Sequence, residues 1–149
     1  MEPYRRILLA TDFSAHARVA TAHAAKLSAM LGAPLRIVTA FSMPVVPLPD
    51  ASLVPIAVGM PDMITRLTEL LADEAKVAAD LGAIGVETEL LDGDAAHEVV
   101  RVAEERDVDL IVVGTHGRHG LSRAILGSVS DKIIRTAPCA VLAIPPAVS

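Results

Sequence analysis

The residues from Gly114 to Ser130 have the types and the spacing to bind an anion. Gly114, Gly117 and Gly127 recur along this stretch, and Ser128 directly follows the last of them. Glycine lets the backbone turn tightly and present its N–H groups without a Cβ in the way. A helix beginning at Ser128 would add the N–H groups of its first turn, which favour phosphate. The stretch therefore predicts a phosphate-binding turn, although a glycine-rich connection with Ser128 as a helix cap would give the same pattern.

Other features of the same stretch indicate which kinds of phosphate or metal site it can form. Arg118 and Arg123 would add positive charge beside a phosphate. The stretch is not a P-loop, because it lacks Gly-Lys-Ser/Thr, and it is not the Gly-x-Gly-x-x-Gly dinucleotide motif. His116 and His119 stand three residues apart, but no third metal ligand has a suitable spacing. We therefore expect these histidines to lie on a solvated loop.

The elements that must position this turn follow from the hydrophobic pattern. Short apolar runs alternate with longer segments of helical periodicity. We predict strands at 7–10, 35–40, 86–90, 110–113 and 140–144, and helices at 14–31, 61–81, 128–136 and after a cap at Asp94. This alternation predicts an α/β fold in one domain over residues 1–149. The sheet is expected to be doubly wound, open, parallel and five-stranded, with strand order 3-2-1-4-5 and helices on both faces.

The predicted strand order also predicts where a ligand would bind. In such sheets the site lies at the carboxyl ends of the strands, where the direction of winding reverses. Here the reversal falls between the first and fourth strands, which end at Thr11-Asp12 and Gly114-Thr115. Asp12 would contact a ligand there, or it would cap the first helix unless Ser14 provides that cap.

The segment from Ser42 to Met60 shows no regular pattern. It is mostly apolar and contains four prolines. A long irregular loop within a compact domain is typical of a functional segment. Two interpretations stay open, a lid near the crevice and a contact surface for a partner.

Composition excludes several classes of protein. The net charge of −5 and the 2% of aromatic residues argue against nucleic-acid binding, which needs positive charge and stacking side chains. No apolar run reaches the ~20 residues that cross a membrane, so we expect a cytoplasmic protein. The one cysteine, Cys139, permits no internal disulfide and is expected to be a small core residue.

The sequence resembles the universal stress protein family over essentially its whole length. The ATP-binding signature of that family is Gly, two residues, Gly, nine residues, Gly, and then Ser or Thr. Gly114, Gly117, Gly127 and Ser128 match this signature at every position. The first strand through Asp12-Phe-Ser and the ending Cys-Ala-Val-Leu-Ala-Ile are also similar to the family.

The resemblance implies an ATP-binding module that acts in the stress response. It implies that Asp12 holds the ribose or the adenine edge and that Val38 lies against the base. The glycines would form the turn near the phosphates, and Mg²⁺ would arrive with ATP, held mostly by phosphates and water. The expected nucleotide contacts are Ala10, Thr11, Asp12, Val38, Gly114, Thr115, Gly117, Arg118, Gly127, Ser128, Val129 and Ser130.

The last strand predicts a partner. It is apolar at every position and is expected at a sheet edge, where exposed apolar strands must be covered or paired. We expect a homodimer through this strand, as the resemblance also implies, with contacts from Ala140, Val141, Leu142, Ala143 and Ile144. Two alternatives to a binding module stay open: a slow ATPase or nucleotidyl-transfer enzyme of related fold, and a dimeric scaffold that binds no nucleotide.

Overall fold

A computed structural model describes residues 2–43, 45–55, 59–116 and 126–147. The elements in chain order are β1 (Ile7–Ala10), α1 (Ala15–Leu31), β2 (Leu35–Phe41), β3 (Val45–Pro47), β4 (Leu53–Pro55), α2 (Met60–Asp80), β5 (Glu87–Asp92), α3 (Ala95–Glu105), β6 (Leu110–Gly114), α4 (Ser128–Thr136) and β7 (Ala140–Ile144). None of the described helices combines the length and the apolarity needed to cross a membrane.

The main sheet has five parallel strands in the order β5-β2-β1-β6-β7. Counted along these strands alone, this is the predicted order 3-2-1-4-5, and the prediction is confirmed. The winding reverses at β1, which pairs with β2 on one side and with β6 on the other. The crevice predicted between the first and fourth strands therefore exists in the fold.

Both faces of the sheet are buried, which explains why its central strands are continuous apolar runs. Leu9 and Val112 face one core, and Leu8 and Ile111 face the other. Helices α1 and α2 cover the first face, and α3 and α4 cover the second. The small side chains of α1, buried at Ala20 and Ala24 among others, let this helix pack closely on the strands.

The helix starts show which polar side chains act as caps. Ser14 Oγ accepts a hydrogen bond from the Ala17 N–H at 3.1 Å, so Ser14 rather than Asp12 caps α1. Asp94 accepts from the His97 N–H at 3.0 Å and caps α3, as predicted. The helix predicted at 128–136 has those bounds, whereas the strand predicted at 86–90 begins and ends later, at Glu87 and Asp92.

The segment expected to be irregular contains a short hairpin. β3 and β4 pair antiparallel, with Val46 opposite Val54. Asp50 Oδ1 accepts hydrogen bonds from the Ser52 N–H and hydroxyl at 3.0 and 2.5 Å, which fixes the turn. The pattern was missed because the strands have three residues each and contain prolines, which usually mark loops.

A buried carboxylate joins the two helices of the first layer. Glu74 of α2 is 2% exposed. Its Oε1 accepts a hydrogen bond from Thr21 Oγ1 at 2.6 Å, and its Oε2 lies 3.0 Å from the Arg18 guanidinium. Because a buried charge is costly without partners, these α1 side chains make Glu74 tolerable in the interior.

The two edge strands of the sheet differ in chemistry. β5 carries Glu87, Glu89 and Asp92, and the Arg36 guanidinium of β2 pairs with Glu87. β7 has only apolar side chains, of which Ala140 is exposed and the next three are half-buried. The acidic edge is therefore protected against pairing with another strand, and the apolar edge is not.

Candidate functional site

A cleft of about 290 Å³ opens at the carboxyl ends of β1, β2 and β6, where the winding reverses. Nine of the residues predicted to contact nucleotide line it: Ala10, Thr11, Asp12, Val38, Gly114, Gly127, Ser128, Val129 and Ser130. Thr115 is not among the lining residues, and Gly117 and Arg118 lie outside the described residues. The structure thus brings together the ends of the first and fourth strands and the start of α4.

Eight further lining residues were not predicted: Ala17, Thr39, Ala40, Ala95, Val99, Val113, His116 and Ile133. Most of them are apolar and extend the same wall as Val38. A signal for two of them was available, because helices that follow parallel strands begin at the carboxyl end of the sheet. The first turns of α1 and α3 therefore had to reach this cleft.

The turn between β1 and α1 holds Asp12 at the rim. Thr11 Oγ1 accepts a hydrogen bond from the Phe13 N–H at 3.0 Å, and Asp12 Oδ1 accepts one from the Ser14 N–H at 2.9 Å. Phe13 has φ 64°, a left-handed conformation that is rare for a bulky side chain. The two side-chain bonds stabilise this unusual turn, and as a result the half-buried Asp12 carboxylate is fixed beside the cleft.

The two ends of the glycine-rich stretch meet at Thr115 and Gly127. The Gly127 N–H donates to the Thr115 carbonyl at 2.8 Å. A Cβ on Gly127 would stand only 3.0 Å from the same oxygen, whereas a Cβ on Gly114 would have no neighbour closer than 3.7 Å. The close approach of two backbones therefore favours glycine at 127, because any Cβ there would have to displace the Thr115 carbonyl, whereas a Cβ at 114 has room.

The first turn of α4 forms the polar side of the cleft. The N-cap of this helix is Gly127, which has no side chain to cap the first turn. The exposed Ser128 offers its hydroxyl at the opening, but Ser130 Oγ donates to the Gly114 carbonyl at 2.5 Å. The turn thus presents backbone N–H groups and the partial positive charge of a helix start to the cleft, and Ser130 anchors it to β6.

The prediction of a solvated loop was wrong for His116, whereas His119, like Arg123, lies outside the described residues. The His116 side chain lines the cleft and only 5% of the residue is exposed. Its Nδ1 lies 2.7 Å from Thr115 Oγ1, and its ring centroid is 6.4 Å from that of His16. Within the described part of the chain, no three His, Cys, Asp or Glu residues are grouped to hold a metal ion.

An ion pair spans the rim between the starts of α3 and α4. Lys132 Nζ lies 3.1 Å from Asp94 Oδ2. The pKa of Asp94 is lowered, first by the hydrogen bond from the His97 backbone and then by Lys132. Since Ala95 and Ser128 both line the cleft, this pair stands at its polar opening.

The comparison with known families decides which family these features belong to. The model of the universal stress protein family matches residues 3–145. The chain belongs to the universal stress protein family. A universal stress protein of Methanocaldococcus jannaschii is 34% identical over 147 residues, which are 95% of this chain and 82% of that relative.

Two similar universal stress proteins have been solved with a bound nucleotide. One was solved in complex with cAMP; it is 25% identical to this universal stress protein, with a TM-score of 0.74 over 98% of this chain and 100% of the other. Another, from Archaeoglobus fulgidus, was solved with dAMP; it is 25% identical, with a TM-score of 0.69 over 96% of this chain and 99% of the other. This universal stress protein therefore shares its fold with nucleotide-binding members of the family.

Proposed function

We propose that this protein is a single-domain cytoplasmic module that binds ATP and acts as a regulator in the stress response. The observation that carries the proposal is the cleft at the winding reversal, which has an apolar wall on one side and the start of α4 on the other. An apolar wall suits a base, and a helix start suits phosphates. The relatives solved with cAMP and dAMP support an adenine nucleotide.

The base is proposed to lie against Val38 and Val99, beside the end of β2. The last backbone bond from β1 to β2 runs from the Thr11 N–H to the Val38 carbonyl at 3.0 Å. Because alternate residues of a parallel strand direct their backbone groups to the same neighbour, Ala40 directs its groups to where β1 has ended. The edge of a base can hydrogen-bond there, and Asp12 is then placed for the ribose.

The phosphates are proposed to lie at the start of α4. Backbone N–H groups from Ser128 onward and the Ser128 hydroxyl would hold them, with Gly117 and Arg118 of the glycine-rich stretch completing the site. Mg²⁺ would be carried by the phosphates and water rather than by a dedicated set of carboxylates. Asp12 is the one acid among the described lining residues.

The proposal is tested by asking what the purified protein carries and binds. The supernatant of denatured protein is examined for adenine nucleotide, and calorimetry then compares ATP with GTP on the emptied protein. We expect ATP to bind more tightly than GTP. Equal affinities would remove the adenine pocket from the proposal, and binding of neither nucleotide would favour the scaffold alternative.

Slow ATP hydrolysis is a second candidate function, favoured by His116 alone. This imidazole lines the cleft and could orient a water molecule. No lysine is found among the described lining residues, although phosphoryl transfer usually needs charge neutralisation. We expect turnover well below ~1 per second in a single-turnover assay with Mg²⁺. Faster turnover that His116→Ala removes would establish an enzyme.

The protein is further proposed to form a homodimer through the open edge of β7. Val141, on this apolar strand, is half-buried within one chain. A lysine there would place a charge in the paired edge, so we expect Val141→Lys to give monomers in light scattering. Thr88→Lys, at an exposed position of the other edge strand, is the matched control and should leave the dimer intact. A Val141→Lys protein that stays dimeric would place the interface elsewhere.

A further inference from the structure

We propose that Lys132 is a specificity-determining residue that distinguishes nucleotides by their phosphates, and that Asp94 holds it at the rim until phosphate displaces the carboxylate. The inference rests on the proposed nucleotide site and concerns how that site selects among its ligands. Neither Lys132 nor Asp94 lines the cleft, but the ion pair between them stands next to it.

Lys132 lies next to residues that line the cleft. Lys132 follows Ser128 by four residues on α4, which puts both on the same side of the helix. The next residue, Ile133, lines the cleft wall. On the opposite side of the opening, Asp94 directly precedes Ala95, another lining residue. The ammonium therefore lies between two helix starts that both point at the cleft.

The ion pair is built so that it can be exchanged. Asp94 Oδ2 accepts from both the His97 N–H at 3.0 Å and Lys132 Nζ at 3.1 Å. If Lys132 leaves, the same oxygen keeps its capping bond, so helix α3 retains its cap. The two side chains are 56% and 60% exposed, and exposed pairs of this kind contribute little to stability.

A phosphate is a stronger partner for the ammonium than this carboxylate. It carries more negative charge and more acceptor oxygens, and it would bind at the helix start that Lys132 already borders. Adenosine has no group that could compete with Asp94. The exchange therefore predicts that Lys132 contributes to the affinity for ATP and contributes nothing to the affinity for adenosine.

The first experiment measures adenosine and ATP binding by calorimetry on the wild type, Lys132→Gln and Lys76→Gln. Lys76 lies exposed on α2 in the other helix layer, so its loss removes the same charge far from the cleft. We expect Lys132→Gln to weaken ATP about tenfold with adenosine unchanged, as for a lost charge-assisted hydrogen bond. Equal losses in both lysine variants, or a parallel loss for adenosine, would overturn the inference.

The second experiment tests the part played by Asp94 with a double-mutant cycle. Asparagine caps helices as well as aspartate does, so Asp94→Asn should keep α3 folded while releasing Lys132. We expect it to strengthen ATP binding a few-fold in the wild type and to have no effect in Lys132→Gln. If Asp94→Asn strengthens ATP binding equally in the wild type and in Lys132→Gln, Asp94 simply repels the phosphates. That result would overturn the proposal that Asp94 holds Lys132. If the wild type binds neither adenosine nor ATP, it is the proposed nucleotide site that fails.

Discussion

The two ends of the central sheet each have a cleft, and the larger cleft is not the candidate site. At the amino end of the strands, a cleft of about 470 Å³ is lined by Arg6, Arg36 and Arg106 together with acidic side chains. At the carboxyl end, the cleft of about 290 Å³ has an apolar wall and few charges. The volume of a cleft therefore does not show which end binds a ligand, whereas the chemical groups that line it do.

At the amino end of the strands, arginine side chains pair with carboxylates or with a backbone carbonyl of the same protein. Arg36 pairs with Glu87, Arg6 lies 3.6 Å from Asp107, and the Arg6 guanidinium also donates to the Arg106 carbonyl at 3.5 Å, just beyond the end of α3. Helix ends of this kind present carbonyl oxygens, which repel anions. The carboxyl end instead presents helix starts. The difference between the ends follows from the direction of the helices, which is the same in every β-α unit.

The largest expected effect on ATP binding comes from a side chain added at Gly127, in the cleft at the carboxyl end of the strands. Gly127→Val would push a branched side chain against the Thr115 carbonyl, which is already 3.0 Å from where a Cβ would stand. ATP at a hundred times its Kd stabilises a folded protein by about 2.7 kcal/mol, and we expect this variant to lose the corresponding rise in melting temperature.

Gly114→Ala is the control for that substitution, because its Cβ would have no neighbour within 3.7 Å. It should fold as the wild type does and, because Gly114 lines the cleft, keep more of the ATP response than Gly127→Val keeps. A folded Gly127→Val protein with a full ATP response would remove the turn at Gly127 from the site, and the comparison between the two ends would lose its main support.

A smaller loss is expected at the rim of the same cleft. Asp12→Ala removes both the carboxylate and the acceptor of the Ser14 N–H, and we expect calorimetry to show ATP binding weakened by about 1–3 kcal/mol. Asp12→Asn keeps an acceptor for that N–H and removes only the charge. If Asp12→Asn binds ATP as tightly as the wild type, the carboxylate is a turn residue and not a nucleotide contact.

At the amino end, loss of a charge should leave nucleotide binding unchanged. The Arg106 guanidinium lies 3.8 Å from Glu89, and the two side chains are 53% and 31% exposed. We therefore expect Arg106→Gln to change the free energy of unfolding by less than about 1 kcal/mol in urea titrations. Its affinity for ATP should equal that of the wild type. A tenfold weaker affinity would mean that the larger cleft, and not the smaller one, binds the nucleotide.

The smallest effect concerns the acidic cap at the carboxyl end. Because the folded-state pKa of Asp94 lies below the ordinary value of 3.8, its charge stabilises the folded protein above that value. The stabilisation is lost as the pH falls through the lowered pKa. Urea titrations should therefore show the wild type more stable than Asp94→Asn at pH 7, with the difference disappearing below pH 3.8. A difference that persists in acid would assign the effect to something other than the charge.

The sequence predicted the parts of this architecture that depend on local signals. The bounds of α4 followed from Gly127-Ser128 at its start and Pro138 beyond its end, and the strand order followed from the alternation of elements. Because parallel strands place their carboxyl ends together, Thr11, Asp12 and Gly114 could be placed at the cleft before its geometry was known. The other predicted lining residues came from the glycine-rich stretch and from the resemblance to the family.

Residues whose environment depends on distant partners were not predicted. Glu74 has the polarity of a surface residue, and only the presence of Thr21 and Arg18 on another helix makes its burial tolerable. His116 was expected in solvent because it lies on a glycine-rich stretch, but the fold buries it, with its ring near the Thr115 hydroxyl and the His16 ring. Such placements depend on tertiary packing, which a pattern within one segment does not show.

If the protein pairs through β7 as proposed, the unequal edges of the sheet would limit how many copies can join. Two copies paired through their β7 edges would use the apolar strand of each and turn both β5 strands outward. Those strands carry Glu87, Glu89 and Asp92, and two such edges repel each other. A symmetric pair of this kind is a closed assembly, because no second adhesive edge is left to recruit a third chain. In such a pair the outward-facing acidic strands would keep further copies from adding at the edges, so the assembly would stop at two chains and would not extend into a filament.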